Sequence, residues 1–276
     1  MTWQQELNDF SYKLGYDVKH VGLKSIQETE VKIENGTMLV PDKYKGIGLL
    51  YYRDKKPREV QANLEGMEDY LNLFFDVVFS LAADEFTTNL LFSDFKFEDI
   101  GPWHKLGHRS APIEVGWGEG NVMQPDSFFV SPKSIVNVEI KLKAESSAKQ
   151  LLSYVALTLA WELQNSKRDK VGFLLIVPQS SIGLIDKLPR GEKIITEGLP
   201  LSNRKITKII EENRARADEI CEQLRLVALS WSELDRRIAE LITSLGNTPS
   251  DATVRKLFEG FREQLKRHKY TEVGLP

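Results

Sequence analysis

The sequence predicts an α/β protein, and three observations predict it. Residues 136–143 alternate strictly: Val136, Val138, Ile140 and Leu142 are apolar, while Asn137, Glu139, Lys141 and Lys143 are polar. A period of two is that of a half-buried strand. Residues 148–163 contain no Gly or Pro and follow two N-cap candidates, Ser146 and Ser147, so they read as a helix. Residues 171–177 are a short, nearly continuous apolar run, the pattern of a buried strand.

In chain order, residues 1–60 read as a β-rich N-terminal segment. The runs 31–34 and 37–40 flank Asn35 and Gly36, and Asn-Gly supports the type I′ turn of a hairpin. Residues 48–52 are a candidate third strand, and 55–58 read as a solvated linker. Residues 61–199 are the expected core. In the stretch 67–92, Leu71, Phe74, Val78 and Leu81 recur at three and four residues, which is the apolar stripe of a helix. His104 and His108 stand four apart, but Pro102 and Gly107 argue for a loop rather than a metal-binding helix. Residues 200–276 are expected to form a helical C-terminal region, with runs at 206–230, 231–245 and 251–266.

The chemistry concentrates in the core. Residues 126–130 read as a strand, and 131–134 (Ser-Pro-Lys-Ser) as its turn. Folding this hairpin about Pro132 and Lys133 brings Asp126 opposite Glu139, with Lys141 beside Glu139 on the same face. Directly opposed residues have Cβ atoms about 4.5–5.5 Å apart. Two carboxylates and one ammonium therefore converge, and a slip of two residues keeps both acids on one face. Such a cluster suits a hard divalent cation, because Mg²⁺ is held by one or two carboxylates and keeps positions for water and a phosphate oxygen. On the bland reading, Lys141 is only an ion-pair partner and Glu-x-Lys marks a solvated strand face.

These residues carry a resemblance. Pro125-Asp126, a spacer, then Glu139-Ile140-Lys141 resembles the signature of the PD-(D/E)XK nuclease superfamily. Gln150 and Tyr154, four apart on the following helix, resemble the Gln-x-x-x-Tyr motif of its RecB-like and Cas4-like branch. The resemblance covers roughly residues 65–180. It implies a restriction-endonuclease-like mixed sheet flanked by helices, and a Mg-dependent deoxyribonuclease using Mg²⁺ or Mn²⁺. It implies Asp126, Glu139 and the backbone carbonyl of Ile140 as metal ligands, with Lys141 orienting water or offsetting phosphate charge. Gln150 and Tyr154 then face the same cleft; their bland reading is helix core with a satisfied hydroxyl.

The resemblance also implies an acid from the preceding helix. Glu85 continues the apolar stripe and is the lead, with a frayed helix end as its bland reading. Glu68 is the alternative, and a favourable N-terminal charge is the bland reading there.

Composition bounds the rest. A net charge of −3 gives no global basic field, so DNA must be gripped by local patches. Arg204, Lys205 and Lys208 form one such patch, and Arg255, Lys256, Arg262, Lys266, Arg267 and Lys269 another. One Cys argues against a disulfide framework and suits a reducing compartment. With no apolar run long enough to span a bilayer and no secretory signal at 1–6, a cytoplasmic protein is expected. The C-terminal runs carry a long apolar stripe (Ile209, Ile220, Leu224, Val227, Trp231, Leu234, Ile238, Leu241). Packing on the core would cover it, and so would a homodimer built through these helices. No Walker A loop, nucleophile elbow or His/Cys pair appears. Two function classes remain: a nuclease acting on DNA in repair, restriction or defence, and a catalytically silent nuclease-fold subunit that binds nucleic acid or serves assembly.

Overall fold

A computed structural model describes residues 68–99, 101–107, 115–116, 125–142, 147–199, 201, 203–268 and 270–273. The hairpin expected at 31–40 and the remainder of residues 1–60 lie outside these, as do the side chain of Glu68 and residues His108, Lys143 and Lys269. Residues Met67–Pro276 make one compact unit.

The first helix, α1 (Glu68–Leu81), buries Leu71, Phe74, Phe75, Val78 and Phe79. It stops where Ala83 turns extended, and a new short helix follows, α2 (Asp84–Thr87), continued by a π-turn over Thr88–Phe92 and a 3₁₀ turn over Ser93–Phe95. The single helix expected over 67–92 is therefore broken. Its stripe ends one turn early, and Leu81 is 70% exposed.

Five strands form one sheet in the order β1-β2-β3-β4-β5. β1 (His104–Gly107) runs antiparallel to β2 (Ser127–Val130), and β2 antiparallel to β3 (Ser134–Ile140). β1 occupies a segment that reads as a loop, because residues 104–107 lack an alternating pattern and join the sheet through backbone pairing. Ser127 pairs with Val138 and Val130 with Ile135, so continuing the register one step sets Asp126 opposite Glu139. The turn between them is tied by Ser131, whose Oγ accepts from the Ser134 N–H at 2.8 Å and the Lys133 N–H at 3.2 Å.

The chain then crosses over through α3 (Ala148–Gln164) to β4 (Lys170–Val177), parallel to β3. Ser147 caps α3, its Oγ accepting from the Gln150 N–H at 3.2 Å, an interaction worth about 1 kcal/mol. After a 3₁₀ segment over Gln179–Lys187 come α4 (Lys193–Gly198), α5 (Arg204–Glu212) and α6 (Arg214–Gln223). They lead to β5 (Arg225–Ser230), which lies parallel to β4. The chain ends in α7 (Trp231–Ser244) and α8 (Pro249–Arg267).

The C-terminal region is thus not only helical. The run expected as one helix from 206 to 230 is two helices and a strand, and β5 builds residues 225–230 into the sheet. Leu226, Val227 and Leu229 fit helix or strand alike, and parallel pairing with β4 decides for strand. Half of the apolar stripe is covered within the chain: Ile220, Trp231, Leu234 and Ile238 are buried, while Ile209, Leu224, Val227 and Leu241 are half-buried.

Two layers cover the sheet. On one face α3–α6 pack against Phe128, Ile135, Phe173 and Leu175. On the other, Phe92 meets Phe129 edge-on at 5.2 Å. On that face Gly172 admits Phe95 so closely that a methyl group would lie 2.7 Å from its ring. β3 is consequently buried along its whole length, although its alternation reads as half-solvated. Its polar residues face α3 rather than water.

Candidate active site

Two spacings place the polar side chains of β3 against those of α3. Alternate strand residues recur about every 6.6 Å, and every fourth helix residue about every 6 Å. A strand and a helix laid side by side can therefore match polar groups rung for rung. Asn137 donates from Nδ2 to Thr158 Oγ1 at 3.1 Å. One rung further, Glu139 meets Tyr154 and Gln150: the phenol O–H donates to Oε2 and the Gln150 amide to Oε1. Lys141 Nζ pairs with Oε1 as well.

Glu139 is only 4% exposed. A carboxyl group that deep needs partners for its oxygens, and three are present. Gln150, Tyr154 and Lys141 are thus brought onto one carboxylate. Burial raises the pKa of Tyr154 well above the ordinary phenol value, and the negative charges of Glu139 and Asp126 raise it further. Tyr154 therefore stays protonated and serves as a donor. The influence of Asp126 on this phenol also puts the second acid within electrostatic reach.

Asp126 stands just before β2. Its Oδ2 accepts from the Ile140 N–H at 2.6 Å, in the position a further ladder bond would take, and its Oδ1 accepts from Asn72 Nδ2 at 2.7 Å. The carboxylate is held from two sides: one partner is the strand that carries Glu139, the other is α1.

Glu85 takes no part. It lies exposed on α2, beyond the break at Ala82–Ala83. Extending the stripe of α1 through that break assigned Glu85 to a face the chain no longer follows. The α1 side chain that reaches Asp126 is Asn72. One turn on, Asp76 accepts from Lys105 Nζ at 2.6 Å and from Ser127 Oγ at 2.7 Å. Asn72 and Asp76 are four apart beside the buried stripe, and that spacing was the available signal.

The donor set fits a hard cation. Asp126 and Glu139 offer carboxylate oxygens, and Asn72 Oδ1 is shut off from solvent with no hydrogen-bond partner. All are oxygen donors, the type that suits Mg²⁺, Mn²⁺ or Ca²⁺. Among the described residues no group of three His, Cys, Asp or Glu side chains gathers to hold a metal. The two carboxylates and the Asn72 amide are the donors described at this point.

Two arginines of the basic C-terminal patch are engaged within the chain. Arg262 grips Asp235 through two nitrogens at 2.7 and 3.1 Å, and Arg255 donates to the carbonyls of Leu245 and Gly246. Lys256 and Lys266 are exposed.

The chain is a mixed α/β protein with a five-stranded mixed sheet flanked by helices. Among the described residues no helix is long and apolar enough to cross a membrane. Compared with protein-family models, with curated proteins and with solved structures, the chain matches none.

Proposed function

We propose that this protein is a metal-dependent nuclease of the PD-(D/E)XK type, with a restriction-endonuclease-like core, that hydrolyses DNA phosphodiester bonds in the cytoplasm. One observation carries the reading: a buried Glu139 receives Lys141, Gln150 and Tyr154 on a single carboxylate, and the continued strand register sets it opposite Asp126. Four residues from three segments that the Asp…Glu-x-Lys and Gln-x-x-x-Tyr patterns select converge on or beside one carboxylate. A solvated strand face would leave them apart.

Mg²⁺ or Mn²⁺, when bound, would neutralise the phosphate and lower the pKa of water. Asp126 and Glu139 would hold it, with the Ile140 carbonyl as the resemblance implies. The Ile140 N–H on Asp126 keeps that stretch of backbone in place. Gln150 and Tyr154 fix the orientation of Glu139. Lys141, paired with Glu139, would orient the attacking water or meet charge growing on the phosphate. In the reaction, water adds to phosphorus as the bond to the leaving sugar oxygen breaks. The water gives up one proton and the leaving oxygen takes one up.

A second reading has its own support. The oxygens of Glu139 already receive three donors, so the network is complete as a structural element. A silent nuclease-fold subunit that binds nucleic acid would look the same. Incubating plasmid DNA, linear DNA and RNA with purified protein decides between them, in Mg²⁺ or Mn²⁺ against EDTA. Cleavage that EDTA stops supports the nuclease. Intact substrates together with measurable DNA binding support the silent subunit.

A further inference from the structure

We propose that the amide oxygen of Asn72 is a direct ligand of the divalent cation held by Asp126 and Glu139. This rests on the nuclease reading above and extends its site to α1. The amide is pinned by one end: Nδ2 donates to Asp126 Oδ1 at 2.7 Å. That hydrogen bond also fixes which atom is which, because the flipped amide would bring two oxygens into contact. The other end is the anomaly. Asn72 Oδ1 is inaccessible to solvent and accepts nothing from the protein. Leaving a buried acceptor unsatisfied costs about 1–3 kcal/mol, so such an atom calls for a partner that the protein itself does not provide.

A cation beside Asp126 is the partner of the right chemistry. An Asn carbonyl is a hard, neutral oxygen donor of the kind found around Ca²⁺. Asn72 Nδ2 is hydrogen-bonded to Asp126, so the amide lies beside a carboxylate that would hold the ion. The carboxylate one turn along α1 is committed elsewhere, because Asp76 pairs with Lys105 at 2.6 Å and accepts from Ser127 at 2.7 Å. The group that α1 presents to Asp126 is therefore the amide.

The competing explanation is that Asn72 only orients Asp126, and two substitutions separate the two roles. Mn²⁺ binding to the full chain is measured by calorimetry for the wild type, Asn72→Ala and Asn72→Asp, with thermal melting to confirm folding. If Asn72 is a ligand, Asn72→Ala weakens binding by at least about 10–100-fold, the loss that even an outer hydrogen-bonding partner causes. Asn72→Asp then tightens it by on the order of tenfold, because ligand charge sets affinity. If Asn72 only orients Asp126, both variants weaken binding, since a carboxylate cannot donate to Asp126. A second readout does not depend on whether Asn72→Asp folds. With asparagine carrying ¹³C in its amide, bound Mn²⁺ should show a ¹³C hyperfine coupling by electron–nuclear double resonance. Absence of that coupling in Mn²⁺-loaded wild type overturns the assignment while leaving the site itself standing. Failure of the wild type to bind Mn²⁺ at all removes both.

Discussion

The two ends of α3 each face a buried carboxylate, and the two are held in different ways. Glu162, at the C-terminal end, is 8% exposed and accepts two bonds from Arg216, from Nε and Nη2, both at 2.7 Å. The Arg168 N–H adds a third at 2.8 Å. Burial works against the charge on Arg216, yet its hydrogen bonds to Glu162 and Glu219 keep its pKa above the usual arginine value. Glu139, at the N-terminal end, receives a lysine and two neutral donors instead. A guanidinium fork on a carboxylate is planar, two-pronged and permanently charged, so it clamps. A lysine is a point charge on a flexible stem, and another cation can take its place. By this difference Glu162 ties α6 to α3, while Glu139 is held by partners that, on the proposed reading, a divalent ion would have to replace.

The sharpest way to break this contrast is to neutralise each acid's partner set in turn. Glu139→Gln should reduce metal-dependent cleavage more than the loss of an outer partner does, which is typically about 10–100-fold. Its melting temperature should fall less than that of Arg216→Met, since Gln150, Tyr154 and the new amide can re-pair and the Lys141 stem is flexible. Arg216→Met should do the reverse. It strands Glu162 without its charge partner, and breaking a buried pair costs about 3–5 kcal/mol. Urea denaturation should show that loss, while cleavage per folded molecule stays at the wild-type level.

Smaller effects refine the picture. Gln150→Ala and Tyr154→Phe should each weaken Mn²⁺ binding by about 10–100-fold, because outer hydrogen bonds orient a metal ligand. The Tyr154 hydroxyl has a second consequence, in pH. Its pKa is raised above the ordinary value of 10.0, so the native state keeps a proton that the unfolded state releases. The stability that Tyr154 contributes is therefore complete below pH 10 and is lost as pH rises through the native pKa. The stability difference between wild type and Tyr154→Phe should shrink between pH 9 and 11, and a constant difference would contradict the assignment. Smallest of all, the Cys221 thiol is pushed up to about 12, chiefly by burial. Native protein should resist alkylation at neutral pH, and protein unfolded in urea should react.

Legibility in the sequence followed how local each signal was. The β2–β3 register and the cap of α3 were readable because a turn and an N-cap are set by neighbouring residues, Ser131 to Ser134 and Ser147. The Gln150 and Tyr154 face was readable from a spacing of four. β5 was not, because Leu226, Val227 and Leu229 fit helix or strand equally and only pairing with β4 settles them. The solvation of β3 was misjudged for a related reason: alternation shows two faces but not what covers them, and α3 covers the polar one. On α1 the error was one of continuity. The break at Ala82–Ala83 has no Gly or Pro to announce it, so the stripe reads on to Glu85 past the end of α1, while Asn72, nine residues before that end, lies off the stripe.

The most direct test sets Glu139→Gln and Arg216→Met beside the wild type in one experiment, with plasmid cleavage in Mn²⁺ normalised to the folded fraction of each protein. The expected result is cleavage by the wild type and Arg216→Met at equal specific rates, and none above the EDTA background by Glu139→Gln. Cleavage by Glu139→Gln at the wild-type rate, or none by any of the three, would contradict the division of labour between the two buried acids.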